Sequence, residues 1–287
     1  MSHENNRTEA PQVLQPPCFG IFSSLMELTI SSCQNLSSLE HFLHPASIPA
    51  IKKITIKYCE RLLSLPTERF MDLHCLEELE VVHCPNICSQ SLVSPSLKRI
   101  VLGNSGNLGD NIECCSLTKF SIYFSRHTST PLQHLPALQS LDIARCESLM
   151  FVRPAVLTNF SHCGCNADNI TSFSSFTMMY ISGCIKLSTL DDLLVQEYLP
   201  AIEKIYVAHC GQLFSLPGER FGSFLSLKDL EVYDCPALNW QRGFVLPSTL
   251  QRLFLGQCGD ISAWIPSCCL QNLASLVSLE ISECQHI

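Results

Sequence analysis

One spacing governs what this chain can become. An apolar residue, two others, an apolar residue, one other, an apolar residue, two others and then a cysteine recur in phase, first as Leu25, Leu28, Ile30 and Cys33 and last as Leu276, Leu279, Ile281 and Cys284. Between these the pattern returns with Cys59, Cys84, Cys146, Cys184, Cys210, Cys235 and Cys258 in the final position, and twice with Ser105 or Ser125 there, making eleven copies. Most copies start 20 to 26 residues apart, and another apolar residue usually follows three positions after the cysteine, as at Leu62, Leu149 and Leu213.

The two central apolar positions alternate with polar ones, the period of a strand with one face buried. Prolines such as Pro66, Pro85, Pro217 and Pro236 follow the strands and turn the chain. One such unit buries about six apolar side chains at roughly 2 kcal/mol each, less than the cost of ordering roughly 25 residues. No unit is therefore stable alone, and stacking is the solution. The template is similar to the L-x-x-L-x-L-x-x-N/C-x-L of leucine-rich repeats. The expected fold is an α/β leucine-rich-repeat solenoid, a horseshoe or arc of about eleven repeats, with one parallel β-sheet on the concave face and irregular or short helical returns.

Eighteen cysteines in a chain with no signal-peptide pattern at MSHENNRTEAPQ are expected to be free thiols. Those of the template (Cys33, Cys59, Cys84, Cys146, Cys184, Cys210, Cys235, Cys258 and Cys284) are expected to pack as small hydrophobes with a weak donor. Serine at positions 105 and 125 fits packing better than redox chemistry. Neighbouring thiols should stand about one strand spacing apart, roughly 4.8 Å, looser than a disulfide prefers.

The phrase IPAIKKITIKYCERLLSLPTERF at 48 to 70 is rewritten as LPAIEKIYVAHCGQLFSLPGERF at 199 to 221. About half the positions from Pro49 to Ile87 equal those 151 residues later, so a block of several units was duplicated. The expected organisation is a polar N-terminal tail and partial cap at 1–22, then a repeat domain at 23–287. Its duplicated blocks are 23–110 and 174–262, and an irregular loop fills 150–175.

The formal charge of -8 lacks the basic field that phosphate backbones require, and no apolar run reaches the roughly 18 residues of a membrane span. A cytoplasmic or nucleocytoplasmic chain is expected. There is no G-x-x-x-x-G-K-[ST], no G-x-S-x-G and no H-E-x-x-H. The best metal candidates are His162, Cys163 and Cys165, supplemented by Cys114 and Cys115 or by Cys268 and Cys269, but the paired C-x-x-C spacing of a zinc site is missing. Neither catalytic residues nor a cofactor are expected. The sequons at Asn6, Asn35, Asn159 and Asn169 read as coincidental without a secretory signal.

What remains is the concave face. Its middle column gathers aromatics in the C-terminal half, Tyr180, Tyr206 and Phe254 with Glu231 between them and Tyr233 beside, and exposed aromatics on a rigid sheet are what a protein-binding hot spot needs. The same residues also favour strands and pack against one another. Lys52, Lys53 and Lys57 face Glu77, Glu78 and Glu80, followed by Lys98 and Arg99, which reads as lateral charge pairing between strands.

The phrases LxxLxIxxCxxLxxLP, LSLPTERF and LEELEVVHCPNI, spread over Ser23 to Ile287, resemble the C-terminal repeats of plant intracellular nucleotide-binding leucine-rich-repeat disease-resistance proteins. The resemblance implies a region that senses a pathogen effector, or a host protein the effector modifies, and that restrains a nucleotide-binding switch. The phosphate loop of that switch, where ADP or ATP would bind, is not in this sequence, and the last unit stops three residues after Cys284, which reads as a fragment or truncated product. An F-box ubiquitin-ligase arm is the alternative, although its I-T-D-like run after cysteine is missing. A receptor ectodomain would carry Asn in place of Cys, and an enzyme is the remaining class.

Overall fold

The computed structural model describes residues 21–89, 91–132, 135–154, 173–218, 220–240, 244–262, 270 and 272–284. Eleven strands form one sheet: β1 (Glu27–Ser31), β2 (Lys53–Lys57), β3 (Glu78–Val82), β5 (Arg99–Gly103), β7 (Lys119–Tyr123), β9 (Ser140–Ala144), β11 (Met178–Ser182), β12 (Lys204–Ala208), β13 (Asp229–Tyr233), β14 (Arg252–Gly256) and β15 (Ser278–Ser282). Every pair is parallel, and the register joins equivalent template positions, Leu28 to Ile54 to Leu79 and so on to Leu253 and Leu279. The chain is a leucine-rich-repeat solenoid, as its spacing requires.

Register decides what is buried. The two apolar positions of each inner strand, such as Ile54 and Ile56 or Leu230 and Val232, are fully enclosed between the coils before and after. The apolar residue opening each unit, Leu97, Leu117 and Leu138 among them, closes the same core. At the edges only one neighbour exists: Leu28 and Ile30 of β1 are half-buried, and Leu279 of β15 is 45% exposed.

Both ends of each strand are stitched to the next coil. The carbonyl before a strand accepts two N–H groups from the following unit, as Met26 O does from Lys52 and Lys53 and Gln251 O from Val277 and Ser278. The residue after each strand adopts positive φ in all eleven units, at Ser32, Tyr58, His83, Asn104, Phe124, Arg145, Gly183, His209, Asp234, Gln257 and Glu283. That twist aims its N–H at the next coil, so Tyr58 donates to Val82 O at 3.0 Å and His209 to Tyr233 O at 3.0 Å. Only one of the eleven is glycine, and none is β-branched, the shape that this region tolerates least.

The returns are short. Pro66 precedes a 3-10 helix at Thr67–Asp72, and Pro217 lies ahead of another at Phe221–Ser223; both bury a phenylalanine, Phe70 and Phe221, under the sheet. Ser38 bridges Ser64, and 151 positions on, Thr189 bridges Ser215. Two features of the returns differ from the irregular or helical segments expected. Short parallel strands pair there, β4 (Ser91–Val93) with β6 (Asn111–Glu113) and β8 (Ser129–Leu132) with β10 (Phe151–Pro154), because the stretch from concave strand to return strand is nearly equal in adjacent coils, as from Lys119 to Ser129 and from Ser140 to Phe151. The segment expected as a loop over 150–175 thus begins with a strand; 155–172 lie outside the described residues, as do 1–20 of the N-terminal tail.

Candidate functional site

Every residue of the middle column stands at the centre of its strand, and on the nine inner strands it is flanked by two buried positions, so its side chain leaves the sheet on the open face. Tyr180 pairs in register with Tyr206, Tyr206 with Glu231, Glu231 with Phe254 and Phe254 with Glu280. The rings of Tyr180 and Tyr206 stack with centroids 4.3 Å apart and planes 4° from parallel. Tyr233 sits two residues along from Glu231 and leans across β14 to meet Phe254 at 6.1 Å, while the His209 ring meets it edge-on at 5.4 Å. Gly256 makes this lean possible, since a Cβ there would lie 2.8 Å from the Tyr233 ring. All five predicted face residues therefore lie on adjacent strands, and the aromatic ones touch in two pairs, Tyr180 with Tyr206 and Tyr233 with Phe254, while staying half-exposed.

Electrostatics shape the same region. Burial pushes the Tyr206 phenol up to about 12, with Tyr180 and then Glu231 adding to the shift. On the other side of Tyr180, Asp142 Oδ2 accepts the Tyr123 hydroxyl at 2.5 Å, and burial together with this bond raises the Tyr123 phenol. Asp142 Oδ1 is buried with no hydrogen-bond partner.

The expected lateral charge pairs form. Lys53 and Arg99 flank Glu78 at 3.3 and 3.7 Å, Lys98 meets Glu77 at 2.9 Å, and Lys57 meets Glu80 at 2.7 Å. The C-terminal half repeats the motif: Lys204 and Arg252 flank Asp229 at 3.3 and 2.5 Å, and Lys228 meets Glu203 at 3.0 Å. Lys98 holds the Glu77 carboxyl below its usual range.

Seven of the nine template cysteines, Cys59 to Cys258, are buried in an inner column, whereas Cys33 on the first coil is exposed and Cys284 on the last is half-buried, each lacking a neighbour on one side. Their thiols donate back to the carbonyl two residues earlier, for example Cys59 to Lys57 O at 3.4 Å, Cys210 to Ala208 O at 3.3 Å and Cys235 to Tyr233 O at 3.4 Å. Burial pushes the Cys84 thiol up to about 11 and Cys258 higher still. All nine are free, and Cys258 and Cys284 approach to 3.5 Å. The expectation of eighteen free thiols fails at Cys115, which is disulfide-bonded; it follows β6 on the return side, away from the template column. Cys75 and Cys88 are free thiols as well. His162, Cys163, Cys165, Cys268 and Cys269 lie outside the described residues, and among the described residues no three metal-ligating side chains converge. No helix among them is long and apolar enough to cross a membrane.

One surface escaped the sequence reading. The positive-φ residues line the rim where the strands end, and in the N-terminal half they carry rings. Tyr58 stacks on His83 at 5.0 Å, His83 meets Phe124 at 6.2 Å, and the Arg145 guanidinium lies 5.6 Å over the Phe124 ring. The signal was present as the residue immediately before each template cysteine, variable and often large. It falls outside the apolar pattern.

No family model matches the chain, and no curated protein matches it. Among solved structures the chain is similar to the leucine-rich repeat domain of the type III effector XopL, at 14% identity and a TM-score of 0.41, over 90% of this chain and 69% of that one.

Proposed function

We propose that this chain is a non-catalytic recognition module that grips a protein partner on the open face of its sheet, with Tyr180, Tyr206, Glu231, Tyr233 and Phe254 at the centre of the contact. The observation that carries this reading is the in-register run of half-exposed aromatics on adjacent strands, prepositioned by stacking. Rings fixed in this way lose little freedom on binding and still offer edges and hydroxyls.

Within that reading, the module belongs to an intracellular plant immune receptor of the nucleotide-binding leucine-rich-repeat kind. It acts in the cytoplasm, its partner is a pathogen effector or a guarded host protein, and it regulates a nucleotide-binding switch elsewhere in a longer parent, where ADP and ATP exchange. The support is the resemblance of LSLPTERF and LEELEVVHCPNI to repeats of that family. The test is the substitution of Tyr180, Tyr206 and Phe254 by Ala in the parent receptor, with partner co-purification and the leaf cell-death response as readouts. Loss of both, with unchanged circular dichroism of the isolated chain, is expected. Unchanged partner capture would remove the assignment.

A further inference from the structure

The open face changes character along its length. Its N-terminal strands carry Lys53, Lys57 and Arg99, each paired with a glutamate of β3. The middle column holds no Lys or Arg in either half. In the N-terminal half it reads Thr29, Thr55, Glu80, Val101 and Ser121, whose one carboxylate is paired with Lys57, whereas from β9 onward it reads Asp142, Tyr180, Tyr206, Glu231, Phe254 and Glu280. The nearby bases stand in flanking columns and are engaged elsewhere: Lys204 and Arg252 with Asp229, Lys228 with Glu203. Among the described residues Glu231 and Glu280 make no ion pair, and Asp142 Oδ1 is left without a donor. These carboxylates alternate with exposed ring edges and faces.

From this we infer that the C-terminal half of the face takes an extended, arginine- or lysine-bearing segment of its protein partner, laid across the strands. The inference rests on the recognition reading above and specifies the partner's chemistry. A guanidinium supplies the donors that Glu231 and Glu280 lack, offsets the charge of Asp142 and lies flat on a tyrosine ring. A neutral segment would bury the carboxylates unpaired, and an acidic one would be repelled. Spacing fits as well. Asp142 stands three strands from Glu231, and Glu231 two strands from Glu280. At about 4.8 Å per strand these gaps are roughly 14 and 10 Å, spanned by about four and three residues of extended chain.

Three fluorescein-labelled peptides of about 14 residues, a Gly/Ser frame carrying Arg, Gln or Glu at those spacings, test this by anisotropy with the isolated chain. The Arg probe is expected to bind about tenfold or more tighter than the Gln probe, to weaken as salt rises, and to lose at least about fivefold in the combined variant Asp142→Asn, Glu231→Gln, Glu280→Gln. Its affinity for the variant Glu77→Gln, Glu80→Gln, which removes charge from the other half, is expected to stay within about twofold. Equal binding of the Gln probe, retention of the Arg probe by the first variant, or equal loss in the second would overturn the inference. So would concentration-dependent pairing of two copies through this face, read by sedimentation. If no probe binds while the alanine variant still abolishes partner capture, the recognition face stands and its cationic partner falls. If partner capture survives the alanine variant, the face itself falls.

Discussion

The ring of Tyr180 lies flat on that of Tyr206, 4.3 Å away and within 4° of parallel, because β11 and β12 run in register one strand spacing apart. A double-mutant cycle with Tyr180→Ala and Tyr206→Ala, followed by urea unfolding, is expected to give a coupling of about 0.5–1.5 kcal/mol. The Tyr206 phenol, raised to about 12 by burial first, keeps its proton where an unfolded tyrosine, near 10, has lost it. Its contribution to stability is complete below pH 10 or so and fades as pH rises through about 12. Ultraviolet difference titration checks the value, and an ordinary phenol titration for all six tyrosines would contradict it.

Gly106 and Gly259 each follow the template Ser or Cys position, at φ +62° and +79°. A Cβ would lie 2.2 Å from Ile87 O in the first case and 2.1 Å from Leu238 O in the second, and backbone on both sides has nowhere to retreat. Gly106→Ala and Gly259→Ala are each expected to cost about 2–4 kcal/mol. Gly211 occupies the same template position with open space around its Cα. Gly211→Ala should be neutral or gain up to about 1 kcal/mol. Thermal unfolding of the three variants separates them.

Thiol chemistry should report the coil stack directly. Iodoacetamide near pH 8 is expected to label Cys33, Cys75 and Cys88, which are exposed, and to spare Cys59, Cys84, Cys146, Cys184, Cys210, Cys235 and Cys258 until denaturant is added. Lack of access protects all seven, and at Cys84 and Cys258 burial also makes the thiolate scarce. Peptide mass spectrometry reads the outcome, and labelling of the inner column under native conditions would mean that the coils are not closed.

The two carboxylate-centred triads differ in exposure and so in worth. Asp229, between Lys204 and Arg252, has a side chain only 8% exposed, whereas Glu78, between Lys53 and Arg99, is 40% exposed. Asp229→Asn leaves two bases without their shared partner and is expected to cost about 2–3 kcal/mol. Glu78→Gln should cost under about 1 kcal/mol. Urea unfolding at low and high salt checks both, with the larger salt effect expected at Glu78.

The strand core was legible because burial on one side of a strand leaves a period of two, and because stacking forces each unit to repeat it: Leu230 and Val232 announce themselves through Leu253 and Leu255. The middle column followed from the same alternation, so Tyr180, Tyr206, Glu231 and Phe254 could be placed on one face from spacing alone. Their mutual contacts could not, since ring stacking depends on rotamers that the spacing does not encode. The rim was invisible for another reason. Positive φ imposes only an exclusion on residue type, and Tyr58, His83, Phe124 and Arg145 share nothing but the absence of a branched Cβ. The outer pairs β4–β6 and β8–β10 depend on neighbouring coils reaching the return side after nearly the same number of residues, a relation between segments and not a property of either. The Cys115 disulfide lies off the repeat altogether.

The backward-twisted residue that ends every strand has a consequence for how such a molecule can diversify. Its main chain does all the structural work, through an N–H aimed at the next coil, while its side chain is left outside the packed interior. Tyrosine, arginine and aspartate all fill the slot at an expense of roughly 1–2 kcal/mol each, which Gly183 avoids. The edge of the coil is thus a keyboard whose keys can be exchanged singly without retuning the frame, and new binding preferences are open to this chain there at little risk to its folding.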